Sequence, residues 1–528
     1  MRLVKCLLLA LLFWPATIGA AAAHASLTSS KPADGVVMKD APSGFSLSFS
    51  EPVSPLALSL IRPDGTTIPL EQPGARGNLL EMDAPAALTE GTHVLTWRVV
   101  SLDGHPVAGS VVFSIGEPSA APPAVSEPYD THVRLGLWLS RIALYIGVFV
   151  GLGGAVAVTW LHASSRSGQH VVASALAIGF VGTALSPGFQ GLDALGATLA
   201  RYTDPTIWST GLQTSYGWTV IVVLVALFAS GLSLATRSIV LSRLLSAGGL
   251  ALGATALALS GHASAAEPQW LTRPAVFLHT ATIGLWIGAL APLGVALWRG
   301  TEDAASALRA FSRFIPVAVA ILIAAGLALT IIQVQQPSAL WRTDYGRLLL
   351  AKLALVIALF ALACINRWRL TLPAEAGEAT ARRRLARMIA AETAIALLIF
   401  GIAAGWRFTP PPRALAIAAA QPESIHIHTE DAMADVTVTP GRAGPVSVSA
   451  VIMTGEFGPL DAKELTFVFS NPAAGIEPFR REAQKPGDGS WRTDDVVLPV
   501  AGVWTLRLDI LVTDFDLVRI EGDVSIRP

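Results

Sequence analysis

Hydrophobic positions follow two different patterns along the chain. Between residues 132 and 408 they form long apolar runs, whereas the regions on either side contain short runs that alternate with polar residues. Each long run has about the 20 residues that a helix needs to cross the hydrocarbon core of a membrane. The pattern predicts eight membrane helices, near residues 134–161, 170–187, 213–235, 242–261, 271–298, 310–334, 347–366 and 386–407.

The region from His24 to about Glu117 has the alternation of short β-strands. Phe45 to Phe49 alternates strictly, and turn residues such as Pro63-Asp64-Gly65 separate the runs. Further strands are predicted at residues 56–61, 94–100 and 110–115. This spacing favours a small all-β sandwich or barrel. The proline-rich stretch at residues 118–131 is expected to be a semi-rigid linker.

A second proline-rich linker, residues 409–424, leads to another β-rich region at residues 425–528. Strands are predicted at residues 435–440, 446–454, 465–470 and 502–510. The expected fold is therefore a multi-domain membrane protein, in which an eight-helix bundle (residues 132–408) separates two small β domains.

The first 23 residues have the features of a secretory signal peptide. Arg2 and Lys5 are followed by an apolar stretch too short to span a bilayer, and then by Ala21-Ala22-Ala23. Cleavage after Ala23 would make His24 the first residue of the mature chain. The alternative is an uncleaved anchor.

Arginine is distributed unevenly between the predicted loops. If the N-terminal domain is outside, the inner loops hold Arg166, Arg237, Arg243, Arg299, Arg309, Arg313, Arg367, Arg369, Arg382, Arg383, Arg384 and Arg387. The outer loops hold far fewer, chiefly Arg201, Arg273 and Arg342. Because positively charged loops stay on the cytoplasmic side, this asymmetry predicts an even number of spans with both chain ends outside.

Composition excludes several classes of function. Only 14% of residues are charged and 52% are hydrophobic, which leaves too little polar surface for a soluble enzyme of this length. The 37 basic and 38 acidic residues nearly cancel, so the chain has no positive field to hold nucleic acid. Of two cysteines, Cys6 lies in the signal peptide and Cys364 in an apolar run, so no disulfide is expected. A metal would need His, Asp, Glu, Met or backbone ligands.

A candidate metal site lies in the N-terminal region. Asp103 and His105 stand two residues apart, and on an extended strand they would share a face. A turn with a solvated histidine explains the same pair equally well. His24 adds an α-amine and an imidazole, and the ordinary amine pKa of about 7.7–8.0 lets a metal displace its proton at neutral pH. One amine, two imidazoles and one carboxylate form a tetragonal set that suits Cu(II).

Four motifs of this region resemble those of the CopC family of copper-binding proteins. They are His24-Ala25-Ser26-Leu27, Ser30-Lys31-Pro32-Ala33-Asp34-Gly35, Phe49-Ser50-Glu51-Pro52-Val53 and the Ser-x-Asp-Gly-His-Pro run at 101–106. The resemblance implies a cupredoxin-like β-barrel with Cu(II) held by His24, Asp103 and His105. Glu51 matches a residue close to that site in some members, or is an ordinary strand-end carboxylate. With only Met38 and Met82 here, the methionine-rich Cu(I) loop of other members is not expected.

Two histidines stand out in the predicted membrane helices, where polar residues are costly and often functional. His262 ends the fourth helix and His279 lies in the fifth, both in the outer half of the bilayer. They are candidates for a copper pathway, and the alternative is hydrogen bonding between helices.

The membrane region resembles the CopD copper-transport family. The shared motifs are Ser-Gly-His-Ala, His-x-x-x-x-Gly-x-Trp-x-Gly, Phe311-Ser312-Arg313-Phe314, Thr343 to Lys352, and Asn366-Arg367 followed by Glu392. The resemblance implies an eight-helix bundle associated with copper uptake. Lys352 and Glu392 lie in neighbouring helices and are a candidate intramembrane ion pair, of structural or functional importance.

The C-terminal region resembles the YtkA/FixH-like exported domains of fused copper import proteins. His426 and His428 alternate on a predicted strand, so both imidazoles share a face, and Met433 and Met453 could supply soft donors. They are weak metal candidates, because a polar strand face explains the same pattern.

Together these features resemble CopC–CopD fusion proteins of copper transport and resistance. This implies a multi-pass protein of a bacterial inner membrane, with both β domains in the periplasm, that captures Cu(II) and imports copper. Copper ions, membrane lipid and periplasmic copper carriers are the expected partners. The chain lacks nucleotide-binding and phosphorylation motifs, so a gradient, a potential or a cytosolic copper sink would drive transport.

Two other functions are open at this point. One is a periplasmic protein that buffers or donates copper without transport. The other is a redox enzyme, with haem between His262 and His279 or with oxygen chemistry at the terminal-histidine copper. We expect a protein that is not an enzyme.

Overall fold

The computed structural model describes residues 27–527 except 33–35, 50–51, 71–73, 86–87, 101–105, 118, 120–129, 163, 262, 265, 421, 456–457 and 488. The predicted signal peptide, residues 1–23, lies outside this part of the chain. In chain order, the described residues form a β region, a helix bundle and a second β region.

The N-terminal region contains two sheets around an apolar core. Their strands are β1 (Leu27–Lys31), β2 (Val36–Met38), β3 (Gly44–Phe49), β4 (Ser54–Ile61), β5 (Thr67–Pro69), β6 (Gly74–Arg76), β7 (Leu79–Asp83), β8 (Gly91–Val100) and β9 (Pro106–Ile115). One sheet has the order β1-β3-β7-β6 and the other β2-β9-β8-β4-β5. In β3, alternate residues Phe45, Leu47 and Phe49 are buried, which explains why the sequence alternation identified this strand.

Within the described part of the chain, eight helices are long and apolar enough to cross a membrane, as predicted. They are α1 (Thr131–Trp160), α2 (Gln169–Leu195), α3 (Ser215–Ala235), α4 (Ile239–Leu259), α5 (Gln269–Arg299), α6 (Ala304–Val334), α7 (Asp344–Glu375) and α8 (Ala379–Gly405). Shorter helices connect them or follow them, at Pro205–Gln213, Ala339–Arg342 and Pro412–Ala420. The last of these lies inside the segment predicted to be a proline-rich linker.

Glycine allows α1 and α5 to pack closely. A methyl group on Gly153 would overlap the backbone of Gly284, and one on Gly288 would overlap the backbone of Gly153. Gly284 and Gly288 are four residues apart, the spacing at which small residues let membrane helices approach. Trp286, between them, stacks on Phe360 of α7 with 5.3 Å between ring centroids. The Gly-x-Trp-x-Gly motif therefore serves helix packing.

The first and last membrane helices, α1 and α8, meet where the chain enters and leaves the bundle. The indole N–H of Trp138, near the start of α1, donates to the carbonyl of Gly401 in α8 at 2.9 Å. The Arg134 guanidinium lies 4.7 Å from the ring centroid of Phe408. The start of α1 and the end of α8 are thus neighbours, as an even number of alternating helices requires. Both β regions are attached at this end, which we call the outer end.

The C-terminal region is a second pair of antiparallel sheets. Its strands are β10 (Glu423–His428), β11 (Ala432–Thr439), β12 (Gly444–Thr454), β13 (Glu464–Asn471), β14 (Ile476–Glu482), β15 (Trp491–Leu498), β16 (Gly502–Thr513) and β17 (Asp516–Ile526). The sheet orders are β10-β11-β12-β15 and β14-β13-β16-β17. One core, with Trp504 and Phe467 fully buried, joins both sheets. All four strands predicted from the sequence are present.

Candidate functional site

The three predicted Cu(II) ligands, His24, Asp103 and His105, and the nearby candidate Glu51 lie outside the described residues, so their arrangement stays a prediction. The strand ends beside them converge, however. Leu27, at the start of β1, pairs with Phe49, at the end of β3. Val100, at the end of β8, pairs with Ser54 and with Pro106. The described sheets therefore bring the residues that flank the three predicted ligands and Glu51 to one end of the N-terminal domain.

The buried histidine of this domain is structural. His93 in β8 is fully buried, stacks on Phe113 and has Nε2 2.8 Å from the carbonyl oxygen of Thr89.

A cavity of about 310 Å³ lies inside the helix bundle, in the half nearest the outer end. Residues from α1 to α8 line it, and the lining is mostly apolar. Its polar lining includes His279, Lys352, Arg141 and Arg407. A largely apolar cavity with a few converging polar groups is the usual form of a small-ligand site.

His279 faces this cavity from α5. Its Nδ1 lies 3.3 Å from the carbonyl oxygen of Leu322 in α6, and within the described chain its Nε2 has no hydrogen-bond partner. A carbonyl that accepts from one ring nitrogen fixes the ring and leaves the other nitrogen able to bind a metal. His262 lies outside the described residues, but its neighbours Gly261 and Ala263 line the same cavity. The structure therefore places His279, and the chain on both sides of His262, at one cavity.

Lys352 also reaches the cavity, from α7. Its Nζ lies 4.7 Å from the ring centroid of Trp406, which in turn stacks on Tyr345. Arg141 on α1 lies over the ring of Tyr216 at 5.5 Å. Both cations are thus held against aromatic faces on the cavity wall.

The predicted ion pair between Lys352 and Glu392 is not formed. Glu392 is buried and accepts a hydrogen bond from the Asn366 amide at 2.8 Å. Asn366 is fourteen residues after Lys352 on the same helix, about 21 Å along the axis. Glu392 therefore lies in the other half of the bundle. The sequence indicated that α7 and α8 are neighbours. It did not indicate at what height along the bundle Lys352 and Glu392 lie relative to each other.

Arg407 joins the cavity to the N-terminal domain. Its guanidinium forms an ion pair with Asp193 at the end of α2, with 2.6 Å between Nη2 and Oδ2. The backbone carbonyl of Asp193 accepts a hydrogen bond of 3.4 Å from Arg98 of β8. Gly196, which follows α2 with a φ of +62°, also lies against the Arg98 guanidinium. The N-terminal domain therefore contacts the outer end of the bundle. The residue that it contacts, Asp193, is itself paired with Arg407 of the cavity lining.

The histidines of the C-terminal region lie on the edge strand β10, where both side chains point outward. The His426 Nδ1 lies 2.6 Å from the Asp435 carboxylate, and the two imidazole rings are 6.2 Å apart. His428 is directly opposite Met433, which is directly opposite Met453. The C-terminal sheet also meets the N-terminal domain along this edge, because β10 contacts β1.

These side chains do not make a preformed metal cage. Among the described residues, no group of three or more histidine, cysteine, aspartate or glutamate side chains is arranged to hold a metal ion.

The opposite end of the bundle contains a buried histidine with a structural contact. His162, after α1, has Nδ1 3.4 Å from the Asp303 carboxylate, which also accepts from Ser165. Burial lowers the pKa of His162, although the Asp303 charge opposes this shift. His162 thus links the end of α1 to the start of α6.

Family comparisons match two parts of the chain. Residues 27–116 match the family model described as CopC domain, and residues 305–406 match the one described as Copper resistance protein D, or CopD. These are the two families that the sequence motifs of the N-terminal and membrane regions resemble.

Two curated relatives also match. The chain is 26% identical over 434 residues to "Copper transport protein CutJ" of Bacillus subtilis (strain 168), a match covering 77% of each chain. It is 36% identical over 103 residues to "Copper resistance protein C" of Xanthomonas campestris pv. juglandis, which covers 18% of this chain and 80% of that protein.

Among solved structures, CopC from Methylosinus trichosporium OB3b is 26% identical, with a TM-score of 0.17, covering 19% of this chain and 98% of that one. PcoC from Escherichia coli, described as a methionine-rich copper resistance protein, is 30% identical, with a TM-score of 0.15, covering 18% and 100%.

Proposed function

Because this chain belongs to the CopC–CopD fusion family of copper transport and resistance proteins, we propose that it captures Cu(II) in the periplasm and imports copper across the inner membrane. The N-terminal domain would bind Cu(II) through His24, Asp103 and His105, with Glu51 close by. The helix bundle would receive copper at His262 and His279.

The observation that carries this proposal is the position of the cavity. It lies in the outer half of the bundle and contains His279, and the N-terminal domain touches the bundle beside it through Arg98 and Asp193. A metal released from the outer domain therefore has a short route to an imidazole inside the bundle. No such contact is needed for a protein that only buffers copper.

A periplasmic buffer or donor is the second candidate function, favoured by the outward-facing His426 and His428. The two functions differ in where copper goes. Copper should be measured in separated cytoplasmic and periplasmic fractions of cells with and without the protein, in copper-limited medium. Import predicts more cytoplasmic copper when the protein is present. A rise confined to the periplasmic fraction would support the buffer instead.

The import proposal requires both β domains to share the periplasm. Arg382, Arg383 and Arg384 lie in the first turns of α8, at the end of the bundle opposite both β domains. Because such clusters resist translocation, protease added to spheroplasts should digest both β domains and spare the segment between α7 and α8. Protection of the C-terminal domain in intact spheroplasts would contradict this topology.

We also propose that His426 and His428 receive or shield copper near the bundle, with Met433 and Met453 as soft donors. Imidazole and thioether ligands together favour Cu(I). Under reducing conditions, the His426→Ala/His428→Ala double variant of the full chain should bind one copper fewer than the wild type. His170→Ala, a substitution of an exposed histidine at the opposite end, is the control. Unchanged stoichiometry in the double variant would rule this site out.

A further inference from the structure

The cavity in the bundle carries an excess of positive charge. Three cations line it, namely Arg141, Lys352 and Arg407, and among its described lining residues there is no aspartate or glutamate. Arg407 is neutralised by Asp193 from outside the lining. Within the described chain, Arg141 and Lys352 form no ion pair, and their contacts are with the aromatic faces of Tyr216 and Trp406.

The same cavity is poor in copper ligands. Its described lining includes one imidazole, that of His279, and no carboxylate, thiol or thioether. A site built to strip copper of its ligands and hold the bare ion would need several such donors around it.

Electrostatics disfavours a bare copper ion here. Charges interact strongly within a membrane protein because the surrounding medium has a low dielectric constant. The aromatic faces hold the two cations in place but do not neutralise their positive charge. A further cation beside them would therefore be repelled. An anion would be attracted to both, since unpaired intramembrane charges usually meet a counter-charge.

We propose that this cavity is an anion site, and that copper enters it as a complex with small monovalent anions, halide or carboxylate, rather than as the bare ion. Arg141 and Lys352 hold the anionic ligands, and the Nε2 of His279 is the nitrogen placed to bind the metal. The copper part of this inference rests on the proposed import function, whereas the anion site does not.

The size of the cavity agrees with such a complex. Its volume is about 310 Å³. A single water molecule needs about 10–15 Å³ of such cavity volume, so a metal ion with several halide-sized ligands can be accommodated.

Bromide binding tests the anion site without copper, because bromide quenches the fluorescence of a nearby indole. In the purified full chain, bromide should cause a saturable quenching component that is absent in Trp406→Phe. Lys352→Gln and Arg141→Gln should each raise the bromide dissociation constant at least tenfold. Arg347→Gln, which removes an exposed cation from the same helix as Lys352, should leave it unchanged. Chloride and acetate, tested as competitors, distinguish a halide from a carboxylate.

A second assay tests the copper part. Copper uptake into vesicles that contain the purified chain should rise when perchlorate is replaced by the preferred competing anion, and Lys352→Gln should abolish that rise. If the saturable bromide component is missing, or is unaffected by both variants, the anion site is overturned. If bromide binds but uptake is equal in both salts, copper does not enter as an anionic complex. If bromide binds and no uptake occurs in any salt, the anion site stands and the import proposal fails.

Discussion

Adding a single residue before His24 should weaken Cu(II) binding to the N-terminal domain by at least two orders of magnitude. The extension converts the α-amine to an amide, which removes one nitrogen ligand and breaks the chelate formed with the His24 ring. A hundredfold loss corresponds to about 2.8 kcal/mol of binding free energy. Residues 24–117 suit this titration, because the described part of this region has its own apolar core.

The control for this prediction is reversal. Proteolytic removal of the extra residue should restore tight binding, because Asp103 and His105 are unchanged throughout. In the native form, affinity should also fall as the pH drops below the ordinary amine pKa of about 7.7–8.0, since protons then compete with the metal. Equal affinities of the extended and native forms would show that the amine is not a ligand.

His279→Ala should lower copper uptake at least tenfold, and His262→Ala should have a similar effect. His279 is the imidazole that the structure places in the cavity, and Gly261 and Ala263 bring the chain around His262 to the same wall. Cu(II) binding by the N-terminal domain should be unchanged in both variants, because its predicted ligands lie elsewhere. Uptake of radioactive copper by cells with matched expression provides the measurement.

His170→Ala is the matched control, because His170 is exposed at the opposite end of the bundle. It should transport copper normally. If His262→Ala and His279→Ala insert, fold and also transport copper normally, the two histidines serve helix packing and the proposed entry site is wrong.

The sequence was most informative where a single physical requirement acts over a long segment. Membrane helices need about twenty apolar residues, so all eight were predictable, although α2, α6, α7 and α8 extend beyond the predicted ends. Strand β3 was predictable because its side chains alternate between core and exterior. The Gly284-x-Trp286-x-Gly288 motif, one of those that carry the CopD resemblance, was recognisable because it is short and local, and its glycines let α1 and α5 pack closely.

Contacts between distant helices were not predictable. The Asp193–Arg407 ion pair joins residues 214 positions apart, and nothing local indicates it. The predicted Lys352–Glu392 pair failed because the relative height of two neighbouring helices depends on packing rather than on local sequence. The position of Arg141 on the cavity wall was not predicted, although an arginine within the apolar run of α1 is itself a signal of function.

Import across the membrane is the central claim, and purified protein in sealed vesicles tests it most directly. Copper is added outside, on the side that carries both β domains, and a thiol chelator inside serves as the sink. We predict that copper accumulates in the lumen of these vesicles and that His279→Ala reduces this to the level of protein-free vesicles. Lumenal copper equal to that of protein-free vesicles, with copper still bound to the outer domains of the wild type, would contradict import.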